Sequence, residues 1–326
     1  MNSLIRKLLS GSAALALVLG AGVGHAQNYP DKPVRIIVPF SPGGGSDIVT
    51  RAFSTPLSSV LGQPVIVDNR AGADGLIGAM IVAKSPPDGH TLLVGTTGPI
   101  VISPALKTKM PYEVLRDFIP VTQLITQPIW LVVHPSLPVK TVADFVKLAK
   151  ARPGELSYGS AGVGNGTHLA AEIFRSITKV NLLHVPYKGT SPAVTELIGG
   201  HVQVIFCSIS VMLPQVNDGK LRPLAVGNDK RMSMLPNVPT MAESGVAGFD
   251  ASSWYGLFAP AGTPGPIVAR LSSEVSKILQ GAEIQKLMVA QGAAPVGNTR
   301  EEFTAHIKAE QVKWREAVRA AGVKPE

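Results

Sequence analysis

The stretch VPFSPGGGSDIVTRAF, residues 38–53, runs from an apolar strand through three glycines into a helix. The longer run VRIIVPF at 34–40 is continuously apolar rather than alternating, which is typical of a strand buried on both faces. The runs PVIVDN (64–69) and TLLVGT (91–96) have the same character. Helical patterns lie between these runs, at about 46–61 and 73–84. This order predicts a βαβαβ unit with a parallel sheet.

A second unit of the same design follows further along the chain. Its strand-like runs are LSYGS (156–160), LLHVPY (182–187) and VQVIFCS (202–208). Helical patterns lie between them, from about 166 and at about 191–199. The amino-acid sequence is not repeated between the two units, but the order of strands and helices is. The fold class is therefore predicted as α/β, with two lobes that each contain a mainly parallel βαβαβ sheet.

Two segments are predicted to cross between the lobes. The first is the proline-rich TQPIWLVVHPSLPVK at 126–140, and the second is FDASSWYGLFAPAGTP at 249–264, which has strand character. The helical patterns after the second crossing have no strands of their own and are expected to return to the first lobe; they lie near 265–279, 282–290 and 299–320. The predicted division is 27–126 plus 250–326 for domain 1 and 127–249 for domain 2, joined by a two-segment hinge that can close over a ligand.

The N-terminus has the pattern of an export signal. Arg6 and Lys7 precede an apolar run at 8–23, which Gly-His-Ala follows at 24–26. Residues 1–26 are predicted to be a signal peptide cleaved near Ala26, with an uncleaved membrane anchor as the alternative. Cys207 is the single cysteine, so an internal disulfide is excluded. An exported chain without disulfides fits a bacterial periplasm as well as an external medium, and the periplasm is the location predicted here.

Charge and composition exclude several classes of function. The formal net charge is +8, and without the predicted signal peptide the chain keeps 28 basic and 22 acidic side chains, a net charge of +6. No basic stripe with interleaved aromatic residues is present, so nucleic acid is not an expected partner. With one cysteine, Cys/His metal sites of the usual spacing are excluded, and neither a metal nor a cofactor is predicted.

Each unit has a glycine-rich loop after its first strand. Residues 41–47 read SPGGGSD, with Ser46 as the predicted N-cap, and residues 160–168 read SAGVGNGTH. Glycines let the backbone approach a ligand, and the N–H groups of a helix start attract an anion. Neither loop contains Lys or Arg, and neither has a P-loop or dinucleotide-binding pattern. An ordinary tight turn is the alternative for one loop alone, but two matched loops predict a carboxylate held between the lobes.

The ends of the other strands supply further pocket candidates. Ser208 follows Cys207 at one of these strand ends. For Phe40 and Tyr187, packing in the core is the alternative to a ligand contact. Asp47 is expected to be an acid that stabilises the helix start rather than a ligand contact. The predicted ligand-binding set is Phe40, Ser41, Pro42, Gly43, Gly44, Gly45, Ser46, Thr96, Thr97, Ser160, Ala161, Gly162, Asn165, Gly166, Thr167, Tyr187 and Cys207.

No catalytic set is predicted. The sequence contains neither a G-x-S-x-G elbow nor an H-E-x-x-H pair. Ser160 and His168 are close in sequence, so an exported serine-type hydrolase stays open as the alternative function, although no carboxylate is evident to orient the histidine. Cys207 has apolar neighbours and is expected to be inert rather than nucleophilic.

Several segments resemble those of a known family, the Bug-type solute-binding proteins, which are extracytoplasmic receptors of tripartite tricarboxylate transporters. The segments are YPDKPVRIIVPFSPGGGSD, NRAGADGLIGAMIVAKSPPDGHTLLVGT, YGSAGVGNGTHLAAEIF, VPYKGTSPAVTELIGGHV and GKLRPLAV…LPNVPTMAESGVAGFDASSWYGLFAPAGTP, and the resemblance covers residues 29–326. It implies a type II periplasmic binding protein fold, a monomer that binds a small carboxylate (di- or tricarboxylate, aromatic acid or similar), and membrane transporter subunits as partners. It also implies that backbone amides and ordered water hold the ligand, at Phe40, Ser41 to Ser46 and Ser160 to Thr167.

The chain departs from this family at one position. Cys207 stands where many relatives have an aspartate after the apolar strand. Loss of that acid favours a ligand without a cationic group there, such as a plain dicarboxylate or an aromatic acid.

Overall fold

The computed structural model describes residues 29–228, 230–249, 251–290 and 292–320. The predicted signal peptide, residues 1–26, lies outside the described residues. None of the helices in the described ranges is long and apolar enough to cross a membrane.

The described strands and helices alternate through the first two-thirds of the chain. The strands are β1 (Val34–Val38), β2 (Val65–Asn69), β3 (Thr91–Thr96), β4 (Phe118–Pro128), β5 (Trp130–Val133), β6 (Ser157–Ser160), β7 (Leu183–Pro186), β8 (Val204–Cys207), β9 (Arg222–Val226), β10 (Ser252–Pro260) and β11 (Ala294–Pro295). The α-helices are α1 (Gly45–Leu61), α2 (Leu76–Ala83), α3 (Ser103–Leu106), α4 (Val114–Asp117), α5 (Val142–Ala151), α6 (Gly166–Thr178), α7 (Thr190–Ile198), α8 (Leu213–Asn217), α9 (Gly265–Gln280), α10 (Ala282–Ala290) and α11 (Arg300–Ala320). Short 3₁₀ turns lie at Ala73–Gly75 and Ile209–Val211, and a π-turn lies at Gly98–Ile102.

The strands form two mixed sheets. The first has the order β11-β4-β10-β3-β1-β2, and the second has the order β7-β6-β8-β5-β9. In each sheet the strands of the predicted βαβαβ unit are parallel: β1 pairs with β2 and β3, and β6 pairs with β7 and β8. The other pairs are antiparallel. The α/β class and both units are confirmed, but the sheets are mixed rather than mainly parallel, because the crossing segments themselves add antiparallel strands.

Helix α1 shows why the first unit folds as predicted. Its apolar residues recur every four positions, at Val49, Phe53, Leu57 and Leu61, and all four are buried against the apolar side chains of β1. The helix ends at Gly62, whose φ of 69° is left-handed and whose N–H donates to the Ser58 carbonyl. This stripe fixes the direction of α1, and so it fixes where the helix begins at the carboxyl end of β1.

The two connections between the sheets lie side by side. Strand β4 of the first sheet ends at Pro128, and β5 of the second begins at Trp130, so Ile129 alone separates them. The return connection reaches the first sheet at Ser252, which pairs with Pro128 at the end of β4, and at the end of β9 the Gly227 N–H donates to the Ile129 carbonyl at 2.7 Å. A Cβ at Gly227 would lie 2.9 Å from that oxygen, which only glycine avoids. The division into residues 27–126 plus 250–326 and residues 127–249 as separately moving units stays a prediction.

The C-terminal helices pack on the first sheet. Helix α9 buries Leu271 and Val275 in the same cluster as β1 and α1. Helix α11 buries Phe303 and Trp314 against β10 side chains on the other face. Both helices therefore return to the sheet that the chain builds first.

Glu310 joins helix α11 to strand β10. Its Oε2 accepts hydrogen bonds from Trp254 Nε1 at 3.1 Å and from Trp314 Nε1 at 2.9 Å, and all three side chains are buried. One carboxylate oxygen thus satisfies two indole N–H groups that water does not reach.

We expect Glu310→Leu to lower the free energy of unfolding by about 2–4 kcal/mol, because it leaves two buried indole donors without an acceptor. Glu316→Leu is the control, since Glu316 is exposed on the same helix. Urea unfolding followed by circular dichroism measures the difference. Equal stability of the two variants would contradict the role given to Glu310.

Three stacked rings, those of Tyr158, His184 and His168, lie beside the second glycine-rich loop. His184 stacks on His168 with the ring centroids 4.2 Å apart and on Tyr158 at 4.8 Å. His184 Nε2 lies 2.6 Å from Ser160 Oγ, and the Gly164 N–H donates to His168 Nδ1 at 3.1 Å. The second loop is therefore tied to strand β7 through Ser160 and to helix α6 through His168.

The pKa of His184 predicts a pH effect on stability. Burial and the neighbouring His168 lower this pKa from 6.5 to about 4, with Arg175 acting in the same direction and Glu172 against it. Between these values the unfolded chain binds a proton at His184 that the folded chain does not. This contribution to stability is therefore complete above about pH 6.5 and is lost as the pH falls towards 4.

We expect His184→Phe, which keeps the stack but cannot be protonated, to make the midpoint of thermal unfolding less dependent on pH than in the parent between about pH 6.5 and 4. Circular dichroism melts across this range measure the slope. His201→Phe is the control, because the His201 side chain is exposed. Parallel slopes for the parent and His184→Phe would show that His184 does not carry the effect.

Candidate functional site

A small cavity lies between the carboxyl ends of the parallel strands of the two sheets. Its volume is about 30 Å³. The residues that line it are Phe40, Gly44, Gly45, Ser46, Thr96, Thr97, Gly98, Gln127, Ile129, Ala161, Asn165, Gly166, Thr167, Thr190, Ser208, Ser253 and Tyr255. None of these side chains carries a formal charge. Both glycine-rich loops contribute to the lining, so the two helix starts face one common space.

The first loop presents the start of helix α1 to the cavity. The N-cap is Gly44, with extended φ and ψ of −78° and 166°, and no side chain caps this helix. The expectation that Ser46 is the N-cap is wrong, because the helix already begins at Gly45. The first N–H groups of a helix have no acceptor within the helix, and here Gly45 and Ser46 line the cavity. They can donate to an anion.

Asp47 stabilises this loop from the side away from the cavity. Its Oδ2 accepts from the Gly43 N–H at 2.9 Å and from Arg51 Nε at 3.0 Å. Burial alone would raise the pKa of Asp47, but the hydrogen bonds from Arg51, Gly43 and Asn69 hold that pKa below its usual range. Asp47 does not line the cavity. It has the helix-start position that the sequence predicts, and it fixes Gly43 in its left-handed conformation with φ of 74°.

The second loop uses more of its donors internally. The N-cap of helix α6 is Asn165, whose side chain accepts from the Thr167 N–H. Thr167 Oγ1 accepts from the Ala161 N–H at 2.8 Å, and Ser160 Oγ accepts from the Gly162 N–H at 3.2 Å. The two loops are therefore matched in position but not in hydrogen-bonding state. The first offers backbone donors, and the second presents the polar side chains of Asn165 and Thr167.

Contacts across the cavity hold the two loops together. Ser41 Oγ donates to the Lys188 carbonyl at 2.7 Å, which joins the first loop to the segment before helix α7. Gly98, after β3, packs so closely on the second loop that a Cβ there would lie 3.1 Å from Asn165 Nδ2. These contacts hold the two sides of the cavity together, so the structure shows the closed arrangement of the two loops.

Ten of the seventeen predicted binding residues line the cavity. They are Phe40, Gly44, Gly45, Ser46, Thr96, Thr97, Ala161, Asn165, Gly166 and Thr167. Their contacts with a ligand stay a prediction.

The other predicted residues lie around the lining rather than in it. Pro42 and Gly43 are exposed at the loop tip, and Ser41 bonds to the opposite loop. Gly162 is buried, with φ of 134°, and a Cβ there would lie 2.3 Å from Asp74 Oδ1. The remaining three are Ser160, Tyr187 and Cys207.

Cys207 packs inside the second lobe. Its side chain is completely buried, Sγ lies 3.7 Å from Met212 Sδ, and burial raises the pKa of its thiol far above the usual value. A thiol in this state is not a nucleophile. Tyr187 packs beside it in the same apolar cluster.

Seven lining residues are absent from the predicted binding set: Ser208, which was noted from the sequence only as following Cys207 at a strand end, and six that were not singled out. These six are Gly98, Gln127, Ile129, Thr190, Ser253 and Tyr255. Gln127 and Ile129 belong to the first crossing, and Ser253 and Tyr255 belong to the antiparallel strand β10. The available signal was a polar residue within a largely apolar stretch, such as Gln127 in LITQPIW, but the predicted parallel units gave no reason to bring the crossings to the cavity.

The geometry does not support the Ser160 and His168 pair of a hydrolase. Ser160 Oγ lies 2.6 Å from Nε2 of His184, because β6 and β7 are neighbours in register, whereas His168 Nδ1 accepts from the backbone of Gly164. Ser160 is fully buried and does not line the cavity. A substrate in the cavity therefore does not meet its hydroxyl.

Comparisons with known proteins agree with this geometry. The chain resembles the solved R. palustris protein Rpa4515 with adipate, at 36% identity and a TM-score of 0.89 over 91% of this chain and 100% of that one. It resembles the periplasmic binding protein BugD at 33% identity and a TM-score of 0.87, over 91% and 100%. It also resembles MatC from Rhodopseudomonas palustris with bound malate, at 32% identity and a TM-score of 0.85, over 89% and 100%.

The fold of these structures is that of two-lobed solute-binding proteins, which confirms the predicted fold class. The sequence also matches the TctC family, described as tripartite tricarboxylate transporter family receptors, over residues 49–323. A match of this extent, with two helix starts at a single uncharged cavity, leads to one conclusion: the chain belongs to the family of tripartite tricarboxylate transporter receptors, and among them it is of the Bug type.

Proposed function

We propose that this protein is a receptor that binds a small carboxylate between its two sheets and presents it to the membrane subunits of a tripartite tricarboxylate transporter. The observation that carries the proposal is the uncapped start of helix α1, which faces the second loop across a cavity without charged side chains. The adipate of Rpa4515 and the malate of MatC are both small dicarboxylates, which supports the same ligand class for this chain.

Hydrogen bonds from neutral donors are strong enough to hold such a ligand. A hydrogen bond to a charged group contributes about 1.5–3 kcal/mol. Four or five of them, less the cost of immobilising the ligand, reach the roughly 8 kcal/mol of micromolar binding. The dipole of α1 adds to this attraction, because its positive end points at the cavity. The proposal therefore needs no buried lysine or arginine.

Binding requires the two sheets to move apart and close again. The cavity is small, about 30 Å³, and contacts such as the Ser41 to Lys188 hydrogen bond close the two sides around it, so a ligand can enter only if the sides separate. The two adjacent crossings, at Ile129 and at Ser252, form a narrow connection about which such a motion can occur. The Ser41 to Lys188 hydrogen bond forms only when the lobes are together, so a bound ligand and this bond favour the same closed state.

The location and the assembly follow from the same proposal. BugD is a periplasmic binding protein, and residues 1–26 of this chain have the sequence pattern of an export signal. We expect a periplasmic, monomeric protein that does not catalyse a reaction and that binds no nucleic acid.

Titration calorimetry of the purified protein with adipate, malate and other small carboxylates tests the proposal. We expect binding of one ligand per chain, and nuclear magnetic resonance of the recovered ligand should show it unchanged. Failure of every carboxylate to bind would contradict the proposal. Conversion of a ligand or ester that is lost in Ser160→Ala would instead support the hydrolase.

Gly44→Asp tests the role of the first loop. Gly44 has negative φ, and a Cβ there makes only an ordinary 3.4 Å contact with the Ser41 carbonyl, so aspartate fits the N-cap position. Its charge would stand beside the bound carboxylate, and like charges about 4 Å apart repel by about 4 kcal/mol at a protein surface. We expect carboxylate binding to weaken by at least about 100-fold, as measured by calorimetry.

Gly44→Ala is the matched control, because it adds a Cβ but neither the charge nor an oxygen that could cap the helix N–H groups. Gly265→Asp is a second control, since it adds the same charge at the start of helix α9, where no atom lies within 4 Å of a Cβ. Both controls should bind within a few-fold of the parent. Equal loss in Gly44→Asp and Gly44→Ala would count against an anion at this helix start.

A further inference from the structure

The floor of the cavity contains two buried polar atoms that the fold leaves unsatisfied. Gln127 and Thr96 line the cavity and are 2% and 5% exposed. Neither Gln127 Oε1 nor Thr96 Oγ1 has a hydrogen-bond partner among the described residues. The neighbouring Thr97 differs, because its Oγ1 accepts from the Trp254 N–H at 3.1 Å. Two polar atoms in the cavity wall therefore lack a hydrogen-bond partner, although the hydroxyl of the adjacent Thr97 has one.

Tyr255 is the hydrogen-bond partner of the Gln127 amide. Gln127 Nε2 donates to Tyr255 Oη at 2.7 Å, so its Oε1 is the amide atom left over. Tyr255 itself lies directly opposite Thr96 in the antiparallel pair of β10 and β3. Three strands thus bring one hydroxyl and one amide oxygen to the same end of the cavity.

The chemistry of these two atoms selects the ligand. A buried acceptor without a donor costs about 1–3 kcal/mol, and a ligand that supplies the donor recovers this. A plain dicarboxylate has only acceptors when it is ionised, so it cannot satisfy Gln127 Oε1. A hydroxyl group can donate to the amide oxygen and can accept from the threonine hydroxyl.

An ammonium group fits the cavity less well than a hydroxyl. The lining contains no carboxylate, so an ammonium would lose its hydration without gaining a charged partner. The position of Cys207 agrees with this, since it is buried behind the lining and offers no negative charge.

We infer that this receptor prefers carboxylates that carry a hydroxyl group, with Gln127 and Thr96 as the residues that determine this preference. The inference rests on the proposed function and goes beyond it, because it names the second chemical group of the ligand.

Matched ligand pairs test the preference in the parent protein. Malate and succinate differ by one hydroxyl, as do 2-hydroxyglutarate and glutarate, and citrate and propane-1,2,3-tricarboxylate. In the pair whose length fits best, we expect calorimetry to show the hydroxylated member binding at least about tenfold more tightly. If the plain member of every pair that binds is equally tight, an ordered water satisfies Gln127 and the inference is overturned.

Two variants then assign the preference to its residues. Gln127→Met and Thr96→Val keep the side-chain volume and remove the polar atoms. Each should bring the members of the best pair to within about threefold of each other, by weakening the hydroxylated ligand more than the plain one. Gln123→Met is the control, since Gln123 is buried on the same strand but does not line the cavity. Equal loss for both members in the first two variants would contradict a specific role.

The keto analogues decide the orientation of the amide. Oxaloacetate and 2-oxoglutarate supply an acceptor where malate and 2-hydroxyglutarate supply a donor. Keto acids that bind as tightly as the hydroxy acids would overturn the inference, because a keto oxygen can accept from Thr96 Oγ1 but cannot donate to Gln127 Oε1. Failure of this inference leaves carboxylate binding intact, whereas failure of the proposed function leaves no carboxylate bound at all, so the two results are distinguishable.

Discussion

The N–H groups at the start of helix α1 are the constraint on which the rest of the site depends. A helix start leaves several donors without partners, and most proteins cap them with a side chain or with water. Here the N-cap is a glycine that offers no side chain, and the nearest acid, Asp47, is directed to Gly43 and Arg51 instead. The donors are thereby left available for the anion that we propose as the ligand. The apolar stripe of α1 on β1 holds them in place, since the direction of the helix cannot change without exposing that stripe.

The second glycine-rich loop differs from the first in its hydrogen bonding. Its own side chains satisfy much of its backbone, and the stack of Tyr158, His184 and His168 ties it to the second sheet. It approaches the cavity as a rigid surface of small polar groups. A receptor with one donating loop and one self-satisfied loop can hold its ligand mainly on one lobe while open and complete the contacts on closing.

The sequence predicted the parts of this arrangement that depend on local pattern. The continuous apolar runs gave both parallel units, and the glycines after β1 and β6 placed both helix starts at the cavity. The missing parts depend on how the crossings pair with those units. Strands β4 and β10 are antiparallel and join the sheets, and they bring Gln127 and Tyr255 to the cavity from positions that have no glycine-rich signal. Ser46 was mistaken for the N-cap because serine favours that position, whereas the helix begins one residue earlier than the apolar pattern indicates. Ser160 has a histidine partner, but the strand register supplies His184, which is more distant in sequence than His168.

A crystal structure of the protein with a bound carboxylate tests the central claim most directly. The account predicts one carboxylate within hydrogen-bond distance of the N–H groups of Gly45 and Ser46, with the second loop closed over it and no lysine or arginine side chain in contact. A ligand carboxylate paired with a basic side chain, or one bound away from the start of helix α1, would contradict it.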